Sequence, residues 1–161
     1  MVERAIDPRS AAWPEQKAVP RFEVDRARFV LLATSACVCA SDLVVKLIEP
    51  TETGFYHHRT YSELVLILAI SAVVVYVIPL ARSRMTSVGA GLMVGGAFGN
   101  ALSIAIFPLG IPNPLTIAPG DWTIAFNLAD LAVIAGFLLT TVGVFALAIG
   151  RRYELREPIE H

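Results

Sequence analysis

Three pairs of polar side chains interrupt segments of the sequence that are otherwise apolar. Each pair has the spacing of three or four residues that places both side chains on one face of a helix. The pairs are Asp42 with Lys46, Asn100 with Ser103, and Asn127 with Asp130. Asp130 is followed by a run of twenty uncharged residues. Its carboxylate therefore lies at the start of an apolar helix, where it can serve as a general acid or base or belong to a structural polar network.

The elements that carry these residues are predicted to be membrane-spanning helices. Hydrophobic residues make up 55% of the 161-residue chain, which is too high for an ordinary soluble domain of this size. They concentrate in four blocks, each about long enough, at ~1.5 Å per residue, to cross a ~30 Å hydrocarbon layer. The blocks cover residues 28–49, 62–80, 87–107 and 123–150. The sequence thus predicts an all-α membrane protein with four transmembrane helices.

The distribution of Lys and Arg predicts that both termini are cytoplasmic. Basic residues precede the first block, separate the second from the third and follow the fourth, whereas the other two connections contain only Arg59. Those two connections should therefore face outward. We expect a disordered N-terminal tail over residues 1–27, because prolines alternate there with mixed charges. The transmembrane domain then covers 28–150, and a cytoplasmic tail covers 151–161.

The polar residues are predicted to lie at one depth in the membrane. Asp42, Asn100 and Asp130 each stand seven residues from the outer end of their block, which corresponds to ~10 Å below the outer surface. Placing polar groups at this depth costs free energy, so these residues either serve a function or satisfy one another's hydrogen-bonding capacity. Both a functional site and a purely structural network are compatible with this pattern.

A ladder of small residues in the third block predicts close helix packing. Gly91, Gly95, Gly99 and Ser103 recur every four residues, which lets a neighbouring helix approach closely. Such packing would hold Asn100 in a fixed place.

Three segments resemble signal peptidase II, the lipoprotein signal peptidase family. "SDLVVK" resembles the Asp-x-x-x-Lys element of its first span, "GGAFGN" its Gly-Gly-Ala-x-Gly-Asn, and "GDWTIAFNLADLAV" its Phe-Asn-x-Ala-Asp segment. Their order and spacing agree over residues 42–136. The resemblance implies an aspartic endopeptidase of the bacterial cytoplasmic membrane that removes signal peptides from diacylglyceryl-modified prolipoproteins. Its partners would be such a signal peptide or a membrane lipid within the bilayer, and a protein partner is a further possibility; no nucleic acid is implied.

The resemblance also assigns roles to individual residues. Asp130 matches one of the family's two catalytic aspartates, and the remaining polar residues match positions that line the site: Asp42, Lys46, Asn100, Ser103 and Asn127. We expect no cofactor and no metal ion, since the adjacent pair His57 and His58 has no third ligand nearby.

The second catalytic aspartate of the family is not matched. Asn113, in "GIPNP", stands at its position, and Ser103 with Ile104 replaces an Asp-Arg pair. An asparagine keeps the shape of aspartate but neither takes up a proton nor shares one. Two carboxylates, Asp121 and Glu63, are candidate substitutes.

Two functions follow from these residues. The first is a divergent signal peptidase II that still cleaves, through a substitute carboxylate or because the match at Asn113 is misplaced. The second is a non-catalytic relative that binds a lipid, a lipoprotein or a partner protein as an accessory subunit. The carboxylate nearest to Asp130 distinguishes them. Prolines on both sides of Asn113 fix backbone angles and further predict that this segment is not the mobile strand or flap edge that it replaces in the family.

Overall fold

Four long helices form the protein, and a computed structural model describes them over residues 21–154. The helices are α1 (Arg21–Ile48), α2 (Tyr61–Val77), α3 (Arg84–Ile106) and α4 (Leu128–Glu154). Each is long and apolar enough to cross a membrane, when the 3₁₀ turn Ile78–Ala81 that continues α2 is included. The prediction of an all-α membrane protein with four spans is confirmed.

Helix α3 lies at the centre of the bundle because glycines let its neighbours approach on two sides. Half of its most apolar window is buried, against 11–17% for the other three helices. A Cβ atom added at Gly95 would lie 2.6 Å from the backbone oxygen of Ser35 on α1. One added at Gly96 would lie 2.5 Å from the backbone oxygen of Ala129 on α4. The predicted ladder therefore packs against α1, and the adjacent glycine face packs against α4.

The first helix begins earlier than the apolar block that predicted it. Helix α1 starts at Arg21, so residues 21–27 of the predicted tail are helical. The predicted tail segments 1–20 and 155–161 lie outside the described residues. At the other end of the chain, α4 extends to Glu154, beyond the predicted boundary at residue 150.

The fourth helix begins later than predicted, because residues 124–126 form a strand and Asn127 caps the helix. Asn127 Oδ1 accepts a hydrogen bond from the Asp130 amide at 3.0 Å, and Asp130 Oδ2 accepts one from the Asn127 amide at 3.2 Å. This reciprocal arrangement is that of a capping box. Asn127 thus precedes the helix, and the expectation that it shares a helical face with Asp130 was wrong.

Two short antiparallel pairings shape the outer connections. Strand β1 (Tyr56–His57) pairs with β2 (Ile111–Pro112), and β3 (Leu115–Ile117) pairs with β4 (Ile124–Phe126) in a hairpin. The segment before Asn113 is therefore a strand, contrary to the expectation from its prolines. A two-residue edge strand tolerates Pro112, since few ladder hydrogen bonds depend on it. The Asn113 amide donates to the Phe55 carbonyl oxygen at 3.2 Å, which anchors the end of this strand.

Candidate functional site

A buried ion pair connects three helices. Lys46 Nζ donates to Asp42 Oδ2 at 2.6 Å, to Asn100 Oδ1 at 2.8 Å and to Ser103 Oγ at 3.0 Å. Asp42 Oδ1 accepts the Ala129 amide, in the first turn of α4, at 2.8 Å. Both charged side chains are 0% exposed. All three ammonium protons and both carboxylate oxygens are thereby used within the protein.

Asn100 connects the ion pair to Asp130 through hydrogen bonds at both ends of its side-chain amide. Because the ammonium group of Lys46 only donates, it faces the amide oxygen of Asn100 and leaves the amide nitrogen for another partner. That nitrogen donates to Asp130 Oδ1 at 3.1 Å. Together with the Asn127 amide on Oδ2, it gives each oxygen of the Asp130 carboxylate one donor. Asp130 is thus held in place while remaining partly exposed.

Asn127 connects Asp130 to the position of the missing aspartate. Its side chain is 1% exposed, and its Nδ2 donates to Asn113 Oδ1 at 2.6 Å and to the Pro112 carbonyl oxygen at 3.3 Å. Since the oxygen of Asn113 accepts this bond, its own Nδ2 remains as a donor on the other side of the amide. The structure therefore brings Asn113 and Asp130 together around one residue.

The three residues expected from the sequence to lie at one depth, Asp42, Asn100 and Asp130, belong to a single hydrogen-bonded network. It runs from α1 through α3 and the start of α4 to the end of β2, and its members are Asp42, Lys46, Asn100, Ser103, Asn113, Asn127 and Asp130. Residues that are equally far from the same end of neighbouring helices lie at the same level, which is why the common depth of these residues could be predicted from the sequence.

A polar pocket of about 230 Å³ opens on this network. It is lined by His57, Arg59, Asn100, Ile111, Asn113, Ala125, Asn127 and Asp130. An adjoining pocket of about 350 Å³ shares three of these residues and is otherwise apolar, lined by Arg59, Ile67, Ala97, Asn100, Asp130, Val133 and Ile134. The two pockets thus adjoin at Arg59, Asn100 and Asp130, and the apolar one lies between α2, α3 and α4.

Two lining residues, His57 and Arg59, were not predicted as site residues. They lie in the segment "YHHRTYSE", where the resemblance to the family is lost, so no motif identified them. One signal was present, since Arg59 is the only Lys or Arg residue in the two connections that are predicted to face outward. The Arg59 Nε atom is buried and has no hydrogen-bond partner among residues 21–154. Arg59 adds a basic residue to the lining of both pockets that Asp130 lines.

Neither candidate substitute carboxylate lines these two pockets. Asp121 is exposed in the turn of the β3–β4 hairpin. Glu63 is exposed as well, and its Oε2 accepts the Thr60 amide at 2.7 Å in the capping box that starts α2. Of the residues that the structure describes, Asp130 is the one carboxylate that lines either pocket. The network leads from it to Asp42, whose oxygens are already occupied.

The fold and the site together define a multi-pass membrane protein with a carboxylate-and-amide pocket near one end of its helices. Its sequence is 37% identical over 107 residues to a lipoprotein signal peptidase of Nitrobacter hamburgensis, covering 60% of this chain and 64% of that one. It is 34% identical over 87 residues to a lipoprotein signal peptidase of Geobacillus kaustophilus, covering 53% and 56%. A third, from Methylorubrum extorquens, is 40% identical over 57 residues, or 35% and 33% of the two chains. No protein-family model matches the sequence.

These similarities support a relationship with the signal peptidase II family, the lipoprotein signal peptidases, over the matched residues. The matched region spans between a third and just under two thirds of the length of these relatives.

Proposed function

We propose that this protein is a signal peptidase II-like component of the bacterial cytoplasmic membrane that binds the signal peptide of a diacylglyceryl-modified prolipoprotein beside Asp130. We further propose that it does not cleave this peptide by the two-aspartate route. This is the accessory, binding function. The alternative, a divergent but active protease, is an outcome of the experiment below.

The observation that carries the proposal is the pairing of Asp130 with Asn113 around Asn127. A two-aspartate mechanism needs one ionised carboxylate to take a proton from water and one protonated partner to polarise the scissile carbonyl group. Two carboxylates in one poorly solvated site divide these states between them because their like charges separate the two titrations. An amide in one of the two positions has no proton to share. Both oxygens of the Asp130 carboxylate already accept a hydrogen bond within the protein, from the Asn100 side chain and from the Asn127 amide.

The remaining groups are suited to holding a peptide without reacting with it. The Nδ2 of Asn113 and the guanidinium group of Arg59 are donors for backbone carbonyl oxygens of an extended segment, and Asp130 accepts from a backbone amide. The adjoining apolar pocket can hold an acyl chain or apolar side chains of the signal peptide. The two parts match a substrate with a polar cleavage region next to a lipid-modified residue.

The experiment compares binding and cleavage in one set of variants reconstituted in lipid nanodiscs. A fluorescent prolipoprotein peptide with a diacylglyceryl-modified cysteine serves as the probe, with anisotropy measuring binding and mass spectrometry measuring cleavage. The variants are the wild type, Asn113→Asp, Asp130→Asn and the double variant that combines both substitutions. An active lipoprotein signal peptidase serves as the positive control.

We expect the wild type to bind the peptide and leave it intact. Asn113→Asp should introduce cleavage, because it restores a second carboxylate, and the added Asp130→Asn substitution should abolish that cleavage. Cleavage by the wild type at a rate comparable to the positive control would overturn the proposal in favour of the active protease. Absence of binding to the modified peptide would overturn it as well.

A further inference from the structure

A second polar cavity lies at the opposite end of the bundle, which the Lys and Arg distribution predicts to be cytoplasmic. It has a volume of about 440 Å³ and lies between the first three turns of α1 and the connection from α2 to α3. Its lining residues are Glu23, Arg26, Ala27, Val30, Arg82 and Arg84. It shares no residue with the pockets beside Asp130, so it is independent of the function proposed for them.

The cavity carries an excess of positive charge. Three guanidinium groups line it together with one carboxylate, and that carboxylate is engaged, since Arg82 Nη1 lies 3.3 Å from Glu23 Oε2. Within residues 21–154, neither Arg26 nor Arg84 has a carboxylate at ion-pair distance. These four charged side chains therefore leave the cavity with two uncompensated positive charges.

The backbone holds two of the arginines beside one tight turn. Arg82 has φ 52° and ψ 25°, a left-handed conformation that no other non-glycine residue adopts among those described. Non-glycine residues enter this region at a cost and do so mostly where the surrounding structure demands it. Ser83 follows as the N-cap of α3, its Oγ accepting the Thr86 amide at 3.3 Å, and Arg84 is the first residue of that helix. The turn thus places Arg82 and Arg84 on either side of a capped helix start.

We propose that this cavity binds the headgroup of an anionic phospholipid from the cytoplasmic leaflet. The cavity lies at the ends of α1 and α3, and the ends of membrane-spanning helices are expected at the level of the lipid phosphates. Guanidinium groups pair with phosphate oxygens through two parallel hydrogen bonds, and basic pockets between transmembrane helices on this side of a membrane are suited to anionic headgroups. Ala27, which is buried, and Val30, which is partly buried, provide an apolar floor for the glycerol and the first acyl carbons.

Binding of short-chain phospholipids to the full chain in detergent micelles tests this proposal. Phosphatidylglycerol, phosphatidylcholine and inorganic phosphate are titrated separately, and bound lipid is counted by native mass spectrometry. The variant Arg26→Gln/Arg84→Gln removes the two uncompensated charges. The matched control, Arg151→Gln/Arg152→Gln, removes the same charge from the last turn of α4, outside the cavity.

We expect phosphatidylglycerol to bind more tightly than phosphatidylcholine, and the cavity variant to weaken its binding about tenfold or more, while the α4 control changes it less than about twofold. Glu23→Gln should strengthen binding several-fold, because it removes the competing carboxylate, and misfolding cannot produce such a gain. Equal loss in the cavity and control variants would overturn the proposal in favour of general surface attraction. Equal binding of the two lipids would overturn it too, as would competition by inorganic phosphate at the same concentration as the lipid.

Discussion

Replacing Lys46 with methionine tests whether the buried ion pair organises the site. Methionine has nearly the length of lysine without its charge, so the substitution removes the three donors of the ammonium group and little volume. It leaves the Asp42 carboxylate buried, with the Ala129 amide as its remaining partner. It also frees the Asn100 amide, whose orientation toward Asp130 follows from the ammonium group on its oxygen. Both stability and peptide binding should fall.

The expected loss of stability is large because both partners are fully buried. Removing one partner of a buried pair costs about 3–5 kcal/mol, most of it from the uncompensated charge that remains. The lower end of this range, about 3 kcal/mol, suits a membrane protein, since hydrogen bonds between transmembrane helices contribute only about 0.6 kcal/mol on average. Asp42→Asn alone should cost a similar amount, because the Lys46 ammonium then lacks its counter-charge.

A double-mutant cycle in mixed micelles, unfolded by increasing SDS, measures the coupling of these two residues. The double variant Asp42→Asn/Lys46→Met should be more stable than the sum of the single losses predicts, by about 2 kcal/mol, since it leaves no unpaired charge. Asp130 should bind the probe peptide more weakly in Lys46→Met, through the released Asn100 amide. A loss below about 1 kcal/mol for Lys46→Met, with additive single effects, would refute the view that this pair organises the site.

Three further predictions use the same unfolding measurement. Gly99→Ala should destabilise the protein by about 1–3 kcal/mol, because its Cβ would lie 2.6 Å from Asp42 Oδ2. The control Gly150→Ala, whose Cβ would have no atom within 4 Å, should be neutral or slightly stabilising. Equal effects of the two substitutions would contradict the packing described for Gly99. Thr60→Ala removes the N-cap of α2 and should cost about 1 kcal/mol with peptide binding retained. Asn127→Ala should lower stability by about 1–2 kcal/mol and weaken peptide binding, because it removes the N-cap of α4 and the hydrogen bond to the Pro112 carbonyl oxygen in β2. Unchanged peptide binding would show that this residue does not shape the pocket.

The spans and the level of the polar residues were predictable because both depend on local properties. A helix of fixed rise crossing a layer of fixed thickness places Asp42, Asn100 and Asp130 by counting alone. The start of α4 was misplaced because the apolar residues Ile124–Phe126 suit a strand as well as a helix, and only the pairing with β3 decides between them. The strand before Asn113 was missed because proline chemistry argued against it locally, while the pairing with β1 overrides that preference.

Composition and local spacing were enough to predict four membrane spans and a resemblance to lipoprotein signal peptidases, and the Lys and Arg distribution predicts which connections face outward. Which side chains contact one another depends on the tertiary structure. It placed Asn113 near Asp130, brought Arg59 into the pocket, left Asp121 in an exposed turn, and gathered Arg26 with Arg84 at the other end. Such contacts join residues that are far apart in the chain. They depend on how closely the glycine faces of α3 let α1 and α4 approach, a property of packing that no local spacing contains.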